Sequence, residues 1–320
     1  MTGPATPPPF HAEVADAPGG AEAHWLTTAD GVRLRAVTWA AGDRGTAVIF
    51  PGRTEFAEKY GRVAGRLVDR GFSVAVVDWR GQGLSDRPPA NPMRGHVEDF
   101  REYQRDVAAL LDLIDGLGLP GARLMVAHSM GGCIGFRTLL ERADFGAAIF
   151  SAPMWHLQMR AATRELTARF TQLAHVMGFG MRLMPGTRER PPALAVDFDT
   201  NALTSCRDTF EWCVGQIAAH PELSLGGPSM QWTRAALEEM ARLYIAPLPN
   251  LPVLAFLGGA ESVVSTSVIR TQIGQMGQGR LVELPGAKHE IFMERPEILE
   301  RVWREIDDFL DGGARLAATG

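Results

Sequence analysis

Long apolar runs, cysteines and basic clusters are all scarce in this chain, and each scarcity excludes something. No stretch approaches the roughly 18 consecutive apolar residues of a membrane span, so none is expected. Cysteine occurs three times, as Cys133, Cys206 and Cys213, an odd count. The last two fall on what reads as one helix, where seven residues separate them by roughly 10 Å, too far for a disulfide. A reducing compartment fits that usage. Residues 1–20 hold neither Lys nor Arg and no apolar core, so they do not read as a secretory signal. The net charge is −5, with no basic run or aromatic-interleaved patch, which argues against a nucleic-acid partner. A cytoplasmic protein is the expectation.

What is present is ample apolar material. The 320 residues are 46% hydrophobic and 22% charged, enough for one large α/β domain with an insertion, or for two domains. Residues 1–20, rich in Pro, Ala and Gly, read as a disordered tail. Alternating arms at 23–28 and 32–39, joined by Asp30-Gly31, predict a β-hairpin. Continuous apolar runs at 46–50, 72–77, 123–127, 145–151, 252–257 and 280–284 predict buried parallel strands. Between them, helical patterns occupy 58–69, 98–117, 133–141, 266–275 and 296–310. Strand alternating with helix predicts a mostly parallel sheet covered on both faces. The alternation stops at Pro153 and resumes near Asn250. The reading is therefore an α/β core formed by 21–152 and 251–320, with 153–250 inserted as a helical cap over the sheet edge where ligands bind.

One stretch carries chemistry. Ser129 stands between the strand at 123–127 and the helix at 133–141, with Ala127 and Gly131 two positions to either side. That is the pattern of a nucleophile elbow, G-x-S-x-G, with alanine replacing the first glycine. Small residues are needed because the turn is so sharp that larger side chains clash. A serine hydroxyl also needs a base and an orienting acid, which follow it in the order acid, then His. Downstream of 252–257 there is one histidine, His289, just past the last strand. No aspartate lies between Asn250 and His289, and of the two glutamates Glu283 falls inside a strand while Glu261 follows a strand end. Ser129, Glu261 and His289 are the expected triad. The N–H groups of Met130 and of Arg53, in the loop after 46–50, are the expected oxyanion donors. Asp78 and the charged loop to Ser85 read as loop-fixing, and His128 as shaping the elbow.

Four motifs carry a family likeness: Gly52-Arg-Thr-Glu-Phe56 with Glu58-Lys-Tyr60, Asp78-Trp-Arg-Gly-Gln-Gly-Leu-Ser85, His128-Ser-Met-Gly-Gly132, and His220-Pro-Glu-Leu-Ser-Leu-Gly-Gly-Pro228. Together they resemble the bacterial lysophospholipase and monoacylglycerol lipase group of α/β-hydrolases, also labelled serine aminopeptidase-like. The resemblance, over about 21–312, implies an α/β-hydrolase fold and hydrolysis of a carboxylic ester by Ser129, Glu261 and His289 without metal or cofactor; the favoured substrate is a single-chain lipid ester, a lysophospholipid or a monoacylglycerol. Two departures bear on substrate: Pro51 stands where many relatives have His, and the acid is Glu rather than Asp. An aminopeptidase-type or small-ester carboxylesterase, an acyltransferase, and a non-catalytic binding protein on the same fold stay open. The segment 153–190 holds six arginines and two glutamates, and Trp155, Met159, Ala162, Leu166, Phe170, Leu173 and Met177 recur at helical spacing. It reads either as a helix packed on the core or as a lid. In the lid reading Trp155 and Met159 bind the acyl chain, and the arginines meet a phosphate or make transient contact with an anionic membrane surface.

Overall fold

The computed structural model describes residues 6–88, 91–191 and 196–312. Its frame is one eight-stranded sheet: β1 (Ala21–Thr27), β2 (Arg33–Trp39), β3 (Gly45–Phe50), β4 (Phe72–Val77), β5 (Arg123–His128), β6 (Ala147–Ser151), β7 (Val253–Gly258) and β8 (Gly279–Leu284). The spatial order is β1-β2-β4-β3-β5-β6-β7-β8. Only the two contacts of β2 are antiparallel; from β4 to β8 every pair is parallel. Strands β3 to β7 are buried along their whole length, as uninterrupted Val/Ile/Ala runs require when both faces are covered.

Successive side chains point to opposite faces, and two apolar layers result. Val48, Phe50, Met125, Ala127, Phe150 and Ala255 pack under α3 (Tyr103–Gly116), α4 (Met130–Glu141) and α8 (Thr266–Gln275). Ala47, Ile49, Val74, Val126, Leu254 and Phe256 pack under α2 (Gly61–Val68) and α9 (Pro296–Asp311). The turn after α2 closes through Gly71 at φ 82°, which only glycine adopts without strain.

Between β6 and β7 the chain forms α5 (Ala161–Val176), α6 (Arg207–Ala219) and α7 (Met230–Tyr244). Trp232, Leu237, Met240 and Leu243 of α7 join the layer over α4, so the insertion is anchored to the core by its last helix. Helix α5 differs from expectation. It begins only at Ala161, and it turns Thr171 and Ala174 inward while Leu166, Leu173 and Val176 face solvent.

The reading of 1–20 as a disordered tail does not hold for 6–20; residues 1–5 lie outside the described residues. A short helix, α1 (Ala12–Ala15), sits within a segment that straps the core to α6. Pro9 O accepts from Arg35 Nη1 at 3.0 Å, Pro18 O from Trp39 Nε1 at 3.1 Å, and Val14 O from Trp212 Nε1 at 3.0 Å. Proline-rich backbone lacks donors but keeps every carbonyl, and here those of Pro9 and Pro18 serve the buried Arg35 and Trp39.

Candidate active site

The C-terminal ends of β3, β5, β7 and β8 bring four loops together. At the end of β5, Ser129 has φ 48° and ψ −115°, a strained turn for a residue with a side chain. Its carbonyl accepts from Met154 N at 2.8 Å, which fixes the turn from the β6 side. A Cβ at Gly131 would strike the carbonyl of Phe50, and one at Gly132 would strike Pro153. Those two contacts explain the glycines after the serine.

Across the sheet edge, the loop after β8 carries His289 and the loop after β7 carries Glu261. His289 Nε2 lies 2.9 Å from Ser129 Oγ, and His289 Nδ1 lies 2.8 Å from Glu261 Oε2. The other oxygen, Glu261 Oε1, accepts from Val263 N at 2.6 Å and Val264 N at 3.2 Å. Burial pushes the Glu261 pKa up, but the imidazole and these two N–H donors outweigh it and hold the carboxyl below its ordinary value. The carboxylate is therefore ionised at neutral pH, and Nδ1 is set to carry the proton. The imidazole is buried beside the side chain of His128, whose Nδ1 faces the Ser151 carbonyl at 3.0 Å. His128 is thus held by the backbone of β6 and does not reach for the serine.

The loop after β3 supplies Arg53. Neither Arg53 N nor Met130 N donates to a protein acceptor among the described residues; Arg53 lies in the loop after β3 and Met130 opens α4 directly after Ser129. Neighbouring atoms hold this loop firmly. Gln82 Nε2 donates to Gly52 O at 3.1 Å and its Oε1 accepts from Thr54 N at 2.9 Å. Gly52 N donates to the Glu55 carboxylate, which also accepts from Tyr60 Oη at 2.5 Å and Lys59 Nζ at 2.8 Å. Lys59 bridges on to Glu290 at 2.7 Å, and the whole group is buried. Burial raises the Glu55 pKa, yet Lys59 and His128 more than compensate and bring it down to about 2. Asp78 fixes the next loop, accepting from Ala57 N, Leu84 N and Arg35 Nε at 2.8 Å each.

Ser129 and His289 open into a cavity of about 370 Å³. Its walls are mostly apolar, from Met154, Leu157, Leu203, Phe210, Val214, Ile217, Leu225, Trp232 and Val263. Trp155 and Met159, expected to bind the acyl chain, are not among them. Residues 154–160 are irregular, so helical spacing does not govern where these side chains go. Trp155 is buried between Phe136 and Phe150 and donates its indole N–H to Gly132 O at 3.1 Å. Met159 lines a separate groove with Arg164, Leu237 and Tyr244. The wall comes instead from α6, whose Phe210, Val214 and Ile217 follow one another at the i, i+4, i+7 spacing of one helical face. That spacing was readable in the sequence. What it could not reveal was which apolar face of the insertion meets the cavity.

Among the described residues, two groups of side chains have ligand atoms close enough to share a cation: Glu55, His128 and Glu290 beside the cavity, and His11, His220 and Glu222 at the surface. In the first, the Lys59 ammonium already stands between the carboxylates.

A family model described as "Serine aminopeptidase, S33" matches residues 41–296. The chain is 30% identical over 306 residues to lysophospholipase L2 of Escherichia coli, covering 89% of this chain and 86% of that protein. It is 25% identical to monoglyceride lipase of Homo sapiens, covering 92% of each. Among solved structures, a soluble variant of monoglyceride lipase from Saccharomyces cerevisiae superposes with a TM-score of 0.72 at 19% identity, over 96% of this chain and 99% of that one. The architecture is that of an α/β-hydrolase.

Proposed function

The chain belongs to the serine aminopeptidase, S33, family, and from that premise we propose that it hydrolyses the ester of a single-chain lipid, a lysophospholipid or a monoacylglycerol, at Ser129. One observation carries the reading: Ser129, His289 and Glu261 form a continuous hydrogen-bonded chain that opens into an apolar cavity. Ser129 Oγ attacks the ester carbonyl while His289 Nε2 takes its proton. Glu261 keeps the Nδ1–H tautomer and balances the imidazolium that forms. Arg53 N–H and Met130 N–H receive the oxyanion, where one donor is worth about 10²–10³ in kcat. His289 then returns the proton to the departing alcohol, and water repeats the cycle on the acyl-enzyme. The acyl chain lies along Phe210, Val214 and Ile217.

Residues 153–250 act as a cap that supplies this wall. The outward apolar face of α5, with Arg160, Arg164 and Arg169 nearby, makes transient contact with the anionic surface from which a lipid is drawn. We place the enzyme in the cytoplasm, where its three free cysteines stay reduced; no helix among the described residues is long and apolar enough to cross a membrane.

An aminopeptidase would need an unpaired carboxylate in the cavity for the substrate ammonium. The acids of the wall, Glu55 and Glu290, are bound to Lys59, while Glu211, Glu222, Glu238 and Glu239 do not line it. The test is labelling by a fluorophosphonate, followed by a panel of lysophospholipid, monoacylglycerol, p-nitrophenyl esters of rising chain length, and aminoacyl anilides. Labelling should vanish in Ser129→Ala, and lipid esters should lead the panel. Persistent labelling of that variant, or anilides turned over ahead of esters, overturns the proposal.

A further inference from the structure

Among the charged side chains of the cavity wall, Glu55, Lys59 and Glu290 satisfy one another, whereas Arg53 does not pair with any carboxylate among the described residues. Its guanidinium donates from Nη2 to Gly226 O at 2.7 Å and lies 5.1 Å from the ring centre of Trp232. Its Nε is buried and without a partner. Gly95 sits against it, and a side chain there would fill the space the guanidinium occupies. Burial lowers its pKa to about 10, only weakly opposed by Tyr103, so it remains a cation at neutral pH. A buried cation left without a counter-charge is costly. Arg53 lines the substrate cavity with no carboxylate beside it, and is poised for an anion that arrives with the substrate.

We propose that the Arg53 side chain is the subsite for the phosphate of a lysophospholipid, so that this enzyme prefers a monoacyl phospholipid to a neutral monoacylglycerol. The inference rests on the lipid-ester reading given above and narrows its substrate class. Covalent reach agrees. In a monoacyl glycerophospholipid esterified at the terminal glycerol oxygen, six bonds separate the ester carbonyl carbon from phosphorus. Six bonds likewise separate Arg53 N, the proposed oxyanion donor, from its own Cζ. Backbone and side chain of one residue can therefore hold the two ends of the glycerol unit, the N–H on the developing oxyanion and the planar fork on the phosphate oxygens. The apolar wall from α6 is left to the acyl chain.

The test compares kcat/KM for lysophosphatidylcholine and monoacylglycerol with the same short acyl chain, both below their critical micelle concentrations. The wild type should favour the phospholipid. In Arg53→Met the ratio of the two should fall by roughly 10–100-fold, the range of a hydrogen bond to a charged group; any effect on the oxyanion loop cancels in that ratio. A ratio unchanged in Arg53→Met overturns the inference. Should that variant fail to fold, the wild type alone decides: the ether-linked, non-hydrolysable lysophosphatidylcholine should inhibit more tightly than the matching alkylglycerol, and equal inhibition constants overturn the proposal. A wild type that cleaves monoacylglycerol at least as well as the phospholipid defeats this inference and leaves the lipid-ester reading standing. A wild type that cleaves neither defeats that reading itself.

Discussion

The Glu261 carboxylate accepts three donors, and only one of them is the imidazole. Replacing Glu261 by Gln keeps the shape but lets the amide present N–H to Nδ1, which favours the wrong tautomer. The expected loss is roughly 10³–10⁴ in kcat with little change in KM, read from steady-state kinetics of a soluble ester. Because the native pKa of Glu261 lies below the ordinary carboxylate value, the wild-type acid limb of kcat/KM should not reflect this group above about pH 4.5. Lys59 offers a second residue-scale test. Lys59→Met would leave the Glu55 and Glu290 carboxylates buried side by side, a change that costs about 3–5 kcal/mol when one partner of a buried pair is removed. The pH dependence has a definite sign. In the wild type the Glu55 pKa is depressed to about 2, so its contribution is complete above the unfolded value and is lost as pH falls toward 2. In the variant both carboxylates are penalised when ionised. The gap between the two proteins in urea unfolding should therefore be widest near neutral pH and narrow as pH falls through the carboxylate range.

Among the elements, α5 is the one whose sequence and position disagree most. Its larger apolar side chains, Leu166, Leu173 and Val176, are 69, 58 and 72% exposed, while small residues face inward. Changing those three to Ser should shift stability by no more than about 0.5 kcal/mol per site and leave turnover of a dissolved short-chain ester unchanged. Turnover of lipid on anionic vesicles should drop about tenfold or more, since each inserted leucine is worth about 1.5–3 kcal/mol. Equal effects on both substrates would remove the membrane contact from the proposal. The same helix shows where sequence reading stops. Parallel strands were legible as buried apolar runs, and α8 was legible as a helical pattern over 266–275, because period is a local property. The elbow was legible because a serine flanked by small residues at fixed offsets is a local pattern, although the contacts that require Gly131 and Gly132 come from Phe50 and Pro153, far away along the chain. Which apolar face of α5 or α6 meets the core, the cavity or the solvent depends on how the insertion docks, and periodicity is silent on that. Trp155 and Met159 were assigned to the cavity by extending a helical period into irregular chain, whereas Phe210, Val214 and Ile217 line it.

At the scale of the whole molecule, the first described residues join parts that the sheet does not. Pro9, His11 and Pro18 contact Arg35, Glu58 and Trp39 of the core, and Val14 O accepts from Trp212 and from Gln216 of α6, the helix that lines the cavity. Composition hides this role, because Pro-rich backbone is read as unable to join regular structure, and here regular structure is not what it supplies. Arg35 is fully buried against Glu58 and Asp78, so uncovering it would admit water to a buried ion network. A chain beginning at residue 21 loses these five hydrogen bonds and the edge-to-face contact of Phe10 with Trp39. At about 0.5–1.5 kcal/mol each the bonds sum to roughly 3 kcal/mol or more, a fall in Tm of about 5 °C or more for a domain of about 300 residues. KM should rise as well, since Gln216 is both tethered by the strap and part of the cavity wall. The strap also carries a pH signature. Loss of solvent lowers the His220 pKa, but hydrogen bonds to Glu13 and Glu222 together outweigh it and raise it on balance. A raised pKa means that its contribution is complete below the ordinary imidazole value and is lost as pH climbs through the raised one. The difference in Tm between full-length and shortened chains should accordingly be larger near pH 6 than near pH 8, measured by thermal melts in buffers of matched ionic strength. Identical melting of the two chains would show that the segment lies on the surface without holding it.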